Sequence, residues 1–297
     1  MTTKRKYAIR FNVQECYFVI SCKDNTFFPI TRQKKLLIRK NSVSLQADMI
    51  SKNQIKMIKQ LELKKFRKRE GLFVAEGPKV VGDLMKRWEP EAIFATEGYS
   101  PTRPIEVQRI SEDELRKVSF LQHPQQVLAL FRIPEAPTCD LSNQDTLYLA
   151  LDGVQDPGNL GTIIRLSDWF GIDTIICSEE TADAWNPKVV QATMGSIARV
   201  NIIYTDLPTL FEKLPADYPV YGTLLDGNDI YRQELTAGGI IVMGNEGNGL
   251  TEKVRRRVTR RLLIPSYRTD DTAESLNVAI ATAIVCAEFR RRGSACQ

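Results

Sequence analysis

The chain has 297 residues, 43% of them apolar and 26% charged, which is room for two domains of ordinary globular composition. Its formal charge of +5 says little until the clustering of the basic residues is considered. Six cysteines with no Cys-x-x-Cys pair, and His123 as the only histidine, argue against a metal site, a disulfide framework and Ser-His or Cys-His nucleophilic catalysis. No apolar run approaches the roughly 20 residues of a membrane span, and no signal peptide is evident, so the sequence reads as a reduced, cytoplasmic protein with no membrane partner.

Residues 1–48 carry ten Lys or Arg against three acids and show no clean period. They read as a poorly ordered extension rather than an RNA-contacting arm, with Met49 as an alternative start. From Ser51 to Glu70, Ile55, Ile58 and Leu61 (and Lys65) follow a helical rhythm with Ser51 as N-cap. Eight of the residues from Lys52 to Arg69 are basic and only Glu62 offsets them. Such a run is usually a solvated face, but this one would attract phosphate, and Lys64, Lys65, Arg67 and Lys68 are its candidate RNA contacts. A strand at Leu72–Glu76, a helix from Gly77 to Arg87, strands at Ala92–Ala95 and Ile105–Val107, a capped helix at Ser111 and a strand at Gln126–Phe131 make a small α/β domain, 49–133. Pro134-Glu-Ala-Pro137 opens a linker, 134–146.

The second domain, 147–297, alternates strands and helices, predicting a mostly parallel sheet covered on both faces. Strands are expected at Leu147–Leu151, Thr174–Cys177, Val200–Tyr204, Pro219–Leu225, Gly239–Met243 and Arg261–Ile264. Helices start at Asn159, at Asn186-Pro187 and near Ser275; Leu276, Ile280, Ala283, Ile284 and Ala287 form the expected buried stripe of the last one. Three strand-to-helix turns rich in Gly, Asn and acid suggest one composite site at the sheet edge where α/β proteins bind ligands. Nucleotide fingerprints fail: Gly77-Pro-Lys79 lacks the phosphate-loop spacing, and Gly244-Asn-Glu-Gly-Asn-Gly249 is not in dinucleotide order. Three glycines in that second run still permit close approach of backbone to a ligand.

Together these segments resemble the SpoU (TrmH-like) branch of the SPOUT RNA methyltransferases. Asn159-Leu-Gly-Thr-Ile-Ile-Arg165 with Phe170-Gly171 is similar to the first family motif, Val242 to Gly249 to the second, and Ile264-Pro265 with Ser275-Leu-Asn277-Val to the third. Residues 51–133 resemble, more loosely, the ribosomal-protein-like substrate domain that often precedes this catalytic domain.

The resemblance implies methyl transfer from S-adenosylmethionine to a ribose 2′-hydroxyl of tRNA or rRNA, a trefoil-knotted α/β fold and a homodimer with sites completed across its interface. It assigns Arg165 to the reacting oxygen, and a guanidinium is too weak an acid to serve readily as base. Arg165 is therefore expected to orient the hydroxyl or a phosphate. Asn159, Glu246, Ser275 and Asn277 would shape the site, with Ser275 as the expected cap of the last helix. Thr223, Leu224, Met243, Gly244, Asn245, Gly249, Ile264 and Leu276 would hold the cofactor. The segment 266–274 is longer and more charged than its family counterpart, which puts cofactor contacts there in question. The alternatives are an inactive RNA-binding relative of the same fold and a SPOUT enzyme that methylates a base.

Overall fold

The computed structural model describes residues 50–293, apart from 136, 139, 144 and 269–274. The expectations for 1–48 and for most of 266–274 lie outside the described residues. All that follows concerns the described residues.

The basic stretch is two helices rather than one: α1 (Lys52–Gln60) and α2 (Lys64–Glu70). Ser51 caps α1 in a reciprocal box with Gln54, as its hydroxyl predicted. Leu63, in extended conformation, starts α2, and Gly71 ends it with a φ of 65°. Strands β1 (Leu72–Glu76), β2 (Pro90–Ala95), β3 (Gln108–Arg109) and β4 (Val127–Arg132) form a sheet in the order β1-β4-β2-β3, with α3 (Pro78–Met85) and α4 (Glu112–Val118) alongside. Ile105 and Val107, expected in a strand, only pack against the core, and the strand falls on the next two residues.

The second sheet contains β5 (Leu147–Asp152), β6 (Thr174–Cys177), β7 (Asn201–Tyr204), β8 (Val220–Asp229), β9 (Gly239–Gly244) and β10 (Arg260–Leu263). Its order is β10-β8-β9-β5-β6-β7, and every pairing is parallel. All six strands therefore present their carboxyl ends along one edge. Alternation along β5 sends Leu147, Leu149 and Leu151 to one core, and Tyr148 and Ala150 to the other. Helices α5 (Pro157–Trp169), α6 (Pro187–Ala192) and α9 (Val278–Gly293) supply the first core, while α7 (Leu207–Glu212) and α8 (Glu252–Arg255) supply the second.

The two sheets are not separated by a polar gap. Phe73, Val80 and Leu84 of the small domain share one continuous core with Leu149, Val189 and Ile197 of the large one. Phe73 and Trp185 pack at 4.8 Å between ring centroids, with Trp88 6.2 Å from Trp185. Gly195 approaches α3 so closely that a Cβ would lie 2.7 Å from the Asp83 Cβ.

Helix α9 corrects the expected face. The side chains it buries are Val278, Ala279, Thr282, Val285, Cys286, Glu288 and Phe289, whereas Ile280 is 54% and Leu276 50% exposed. Ala287 is also exposed, and Ala283 and Ile284 are half-buried. The apolar residues fill more than one face of this helix, and the monomer covers only one of them.

Candidate active site

Three loops meet at the carboxyl edge. After β5, Asp156 rather than Asn159 caps α5: its carboxylate accepts the Asn159 backbone N–H at 2.8 Å, and Pro157 takes the first helical position. That leaves the Asn159 side chain free in the first turn of α5. After β9, Asn245 and Gly249 exchange both backbone hydrogen bonds, at 2.9 and 3.0 Å, closing a tight turn. The Asn245 side chain accepts the Gly247 and Asn248 N–H groups and donates to the Gly153 carbonyl at 2.8 Å. Gly244 cannot be replaced here, because a Cβ would lie 2.4 Å from the Gly249 carbonyl carbon. Before α9, Asn277 and not Ser275 is the cap: its Oδ1 accepts the Ala279 and Ile280 N–H groups at 2.9 and 3.3 Å.

A chain of side-chain hydrogen bonds joins the three loops. Asn159 donates from Nδ2 to Glu246 Oε1 at 2.9 Å, and Asn277 donates from Nδ2 to Asn159 Oδ1 at 2.9 Å. The second Glu246 oxygen accepts the Gln155 N–H at 3.4 Å. An ionised carboxylate only accepts, so it fixes which way the Asn159 amide points, and that in turn fixes Asn277. The chain ends on the N-terminus of α9, where the helix dipole favours negative charge. Residues 87 and 118 positions apart in sequence are thus held in one constellation.

Arg165 stands apart from it. Six residues beyond Asn159 on α5, it lies about 9 Å further along the axis and about 120° around it. It is exposed, with no hydrogen bond or ion pair among the described residues. Thr162 and Trp169 share its face, and Trp169 is 84% exposed. Ser275 is likewise exposed and makes no hydrogen bond among the described residues.

The expected cofactor residues divide by side chain and backbone. Leu224 and Met243 point into the two cores and can offer only main-chain atoms to a ligand. Thr223 donates its hydroxyl to the Val242 carbonyl at 3.1 Å. The β8–β10 pairing jumps from Gly222 to Asn228, so 223–227 bulges out at the edge. This bulge exposes Leu225 by 74%, a residue the sequence reading passed over. Asp152 was also missed: buried at the end of β5, its carboxylate accepts the Thr251 N–H at 2.6 Å and anchors the entry to α8. An acid ending an otherwise apolar strand was the available signal.

The chemistry of the expected cofactor residues is compatible with S-adenosylmethionine: Leu225 and Leu276 leave apolar side chains uncovered, and Thr223, Gly244 and Ile264 are half-buried with main-chain donors and acceptors to offer.

One expected RNA contact is overturned. Arg67 is 1% exposed and paired with Asp183 on the loop after β6, and it also donates to the Leu61 and Glu62 carbonyls at 2.7 Å each. Its guanidinium fork is spent bolting α1 and α2 to the large domain. Lys64, Lys65 and Lys68 are exposed.

An all-parallel α/β sheet thus carries glycine-rich turns and a Glu-Asn-Asn constellation at its carboxyl edge. The chain belongs to the SpoU rRNA methylase family, whose profile matches residues 146–287; residues 52–129 match an MRM3-like substrate binding domain. It is 33% identical to the Bacillus subtilis 23S rRNA (guanosine(2553)-2′-O)-methyltransferase RlmP, over 81% of this chain and 97% of that protein. A TrmH-family RNA methyltransferase structure from Porphyromonas gingivalis superposes with a TM-score of 0.74 at 40% identity, covering 82% of this chain and 99% of the other. An AdoMet-bound rRNA methyltransferase from Sinorhizobium meliloti superposes with a TM-score of 0.69 at 29% identity, covering 82% and 97%.

Proposed function

We propose that this protein transfers a methyl group from S-adenosylmethionine to a ribose 2′-hydroxyl of ribosomal RNA, as a cytoplasmic homodimer. The observation that carries this reading is the hydrogen-bonded constellation of Asn159, Glu246 and Asn277, which draws all three family motifs to one edge. The rRNA substrate is supported by relatives that bear rRNA 2′-O-methyltransferase names.

The bound cofactor supplies an electrophilic methyl on a sulfonium, so that the methyl–sulfur bond breaks as the methyl–oxygen bond forms and the hydroxyl proton leaves. What remains for the protein is alignment of the ribose and removal of that proton. Glu246, Asn159 and Asn277 hold the loops around the cofactor in register. Arg165 orients the ribose hydroxyl or its adjacent phosphate by donated hydrogen bonds.

Arg165 shares its face of α5 with exposed Trp169, and α5 packs against α9, where Ile280 and Ala287 are exposed and Ala283 and Ile284 half-buried. A second copy of this chain covering those apolar side chains would bury them and carry Arg165 towards the partner's site. In this reading the last segment is threaded as the family's trefoil knot; support comes from the Gly227 bulge pressed against the Leu262 backbone and from Asn277 tied to Asn159.

The test is transfer of isotopically labelled methyl groups to separate unmodified rRNA and tRNA pools by wild type and Arg165→Ala. Label is expected in rRNA with the wild type only, with cofactor affinity changed less than threefold in the variant. Normal turnover by Arg165→Ala overturns the assigned role, and label confined to tRNA overturns the substrate.

A further inference from the structure

An open cleft of about 560 Å³ lies between α2 and the large domain, lined by Lys64, Lys68, Glu179, Trp185 and Tyr204 over the Arg67–Asp183 pair. Glu179 follows the carboxyl end of β6 and Tyr204 is the last residue of β7. Because the sheet is wholly parallel, this cleft opens on the same edge as the Asn159–Glu246–Asn277 constellation. Only two strand spacings, roughly 10 Å, separate β7 from β5.

Its walls are fixed before any ligand arrives. The Tyr204 hydroxyl donates to the Ala182 carbonyl and accepts the Ala184 N–H at 2.8 Å, so the ring cannot turn away. Trp185 is held edge-on to Trp88 and against Phe73. Lys64 lies 5.8 Å from the Tyr204 ring centroid, and Lys68 is exposed with no ion pair or hydrogen bond among the described residues. Asp183 is neutralised by Arg67, which leaves Glu179 as the cleft's one uncompensated acid among these lining residues.

We propose that this cleft is a nucleotide subsite for the RNA substrate, an inference that rests on the RNA methyltransferase reading above. One unpaired base stacks on the ring wall of Trp185 and Tyr204, and Lys64 and Lys68 neutralise the phosphates on either side of it. Glu179 accepts from an exocyclic amine, which favours guanine, adenine or cytosine over uracil. The substrate strand is thus gripped at the joint between the domains and led along the sheet edge to the reacting ribose.

The experiment uses the full chain, a mixed-sequence single-stranded RNA octamer and unmodified rRNA. Lys64→Gln/Lys68→Gln is compared with wild type and with Lys117→Gln/Lys213→Gln, which removes equal charge elsewhere. The cleft variant is expected to bind the octamer at least tenfold more weakly and to lower the log–log salt slope by about 1.4. Its KM for rRNA should rise while kcat and cofactor affinity hold. Photocrosslinks from the octamer should map to α2, Trp185 or Tyr204. Unchanged affinity and slope, an equal loss in the control variant, or crosslinks elsewhere overturn the subsite while rRNA methylation by wild type continues. A wild type that neither binds the octamer nor methylates rRNA overturns both readings.

Discussion

At the scale of single residues, Asn277 does two jobs that one substitution separates. Aspartate keeps an oxygen to cap α9 but has no Nδ2 to donate to Asn159. Asn277→Asp is therefore expected to melt within a few degrees of wild type and to lose methyl transfer at least tenfold; equal activity would show that the tie to Asn159 is dispensable. Gly161 is a packing residue: a Cβ there would lie 2.4 Å from the Ala192 Cβ and 2.8 Å from the Val189 carbonyl oxygen. Gly161→Ala should cost about 1–3 kcal/mol in a denaturant titration, because backbone of α6 must move. That the turns carrying Asn159, Glu246 and Asn277 meet at one edge was legible in the sequence, because three Gly-, Asn- and acid-rich strand-to-helix turns fall in one parallel sheet. Which residue caps which helix was not, since Ser275 and Asn277 are equally good caps and Asp156 and Asn159 nearly so; tertiary partners made the choice.

At the scale of elements, α9 shows where periodicity is informative and where it stops. Its apolar repeat was evident, but a helix with more than one apolar face does not say which one the monomer covers. If the proposed homodimer forms through this face, Ile280→Asp/Ile284→Asp should be a folded monomer in light scattering where wild type is a dimer, with transfer lost if Arg165 acts across the interface; a dimeric variant would move that interface elsewhere. The far end of α9 is locked by charge. Arg291 and Arg292 donate to Glu288 at 2.7–2.8 Å, and Arg292 also reaches the Tyr231 carbonyl at 2.6 Å. The hydrogen bond from Arg291, despite the opposing effect of burial, and then that from Arg292 lower the Glu288 carboxyl to about 2. A lowered folded-state value adds stability that is complete above the ordinary carboxylate range and is lost as pH falls towards about 2. Glu288→Gln should thus destabilise by roughly 1–3 kcal/mol at pH 7, with the difference from wild type shrinking at pH 3.

At the scale of the whole molecule, the joint between the domains is held by a shared core and by the Arg67–Asp183 pair. Truncating Arg67 would leave Asp183 half-buried without its counter-ion and three carbonyl and carboxylate partners unserved. Arg67→Ala should lower stability by about 3–5 kcal/mol in a denaturant titration, whereas a purely solvated arginine would change it by less than about 0.5 kcal/mol. The parallel sheet was legible, because strand and helix periods alternate cleanly from Leu147 onward. The shared core was not, because Phe73, Trp88 and Trp185 look like ordinary core aromatics of separate domains. Nor was the inward turn of Arg67, because a basic run carries no mark of which side chain finds a buried acid 116 residues away. The central claim is that the methyl group goes to a ribose oxygen, and alkaline hydrolysis of labelled rRNA tests it most directly. A 2′-O-methyl removes the internal nucleophile for cleavage, so the label should be recovered in an alkali-resistant dinucleotide. Label in ordinary mononucleotides would place the methyl on a base and contradict the account.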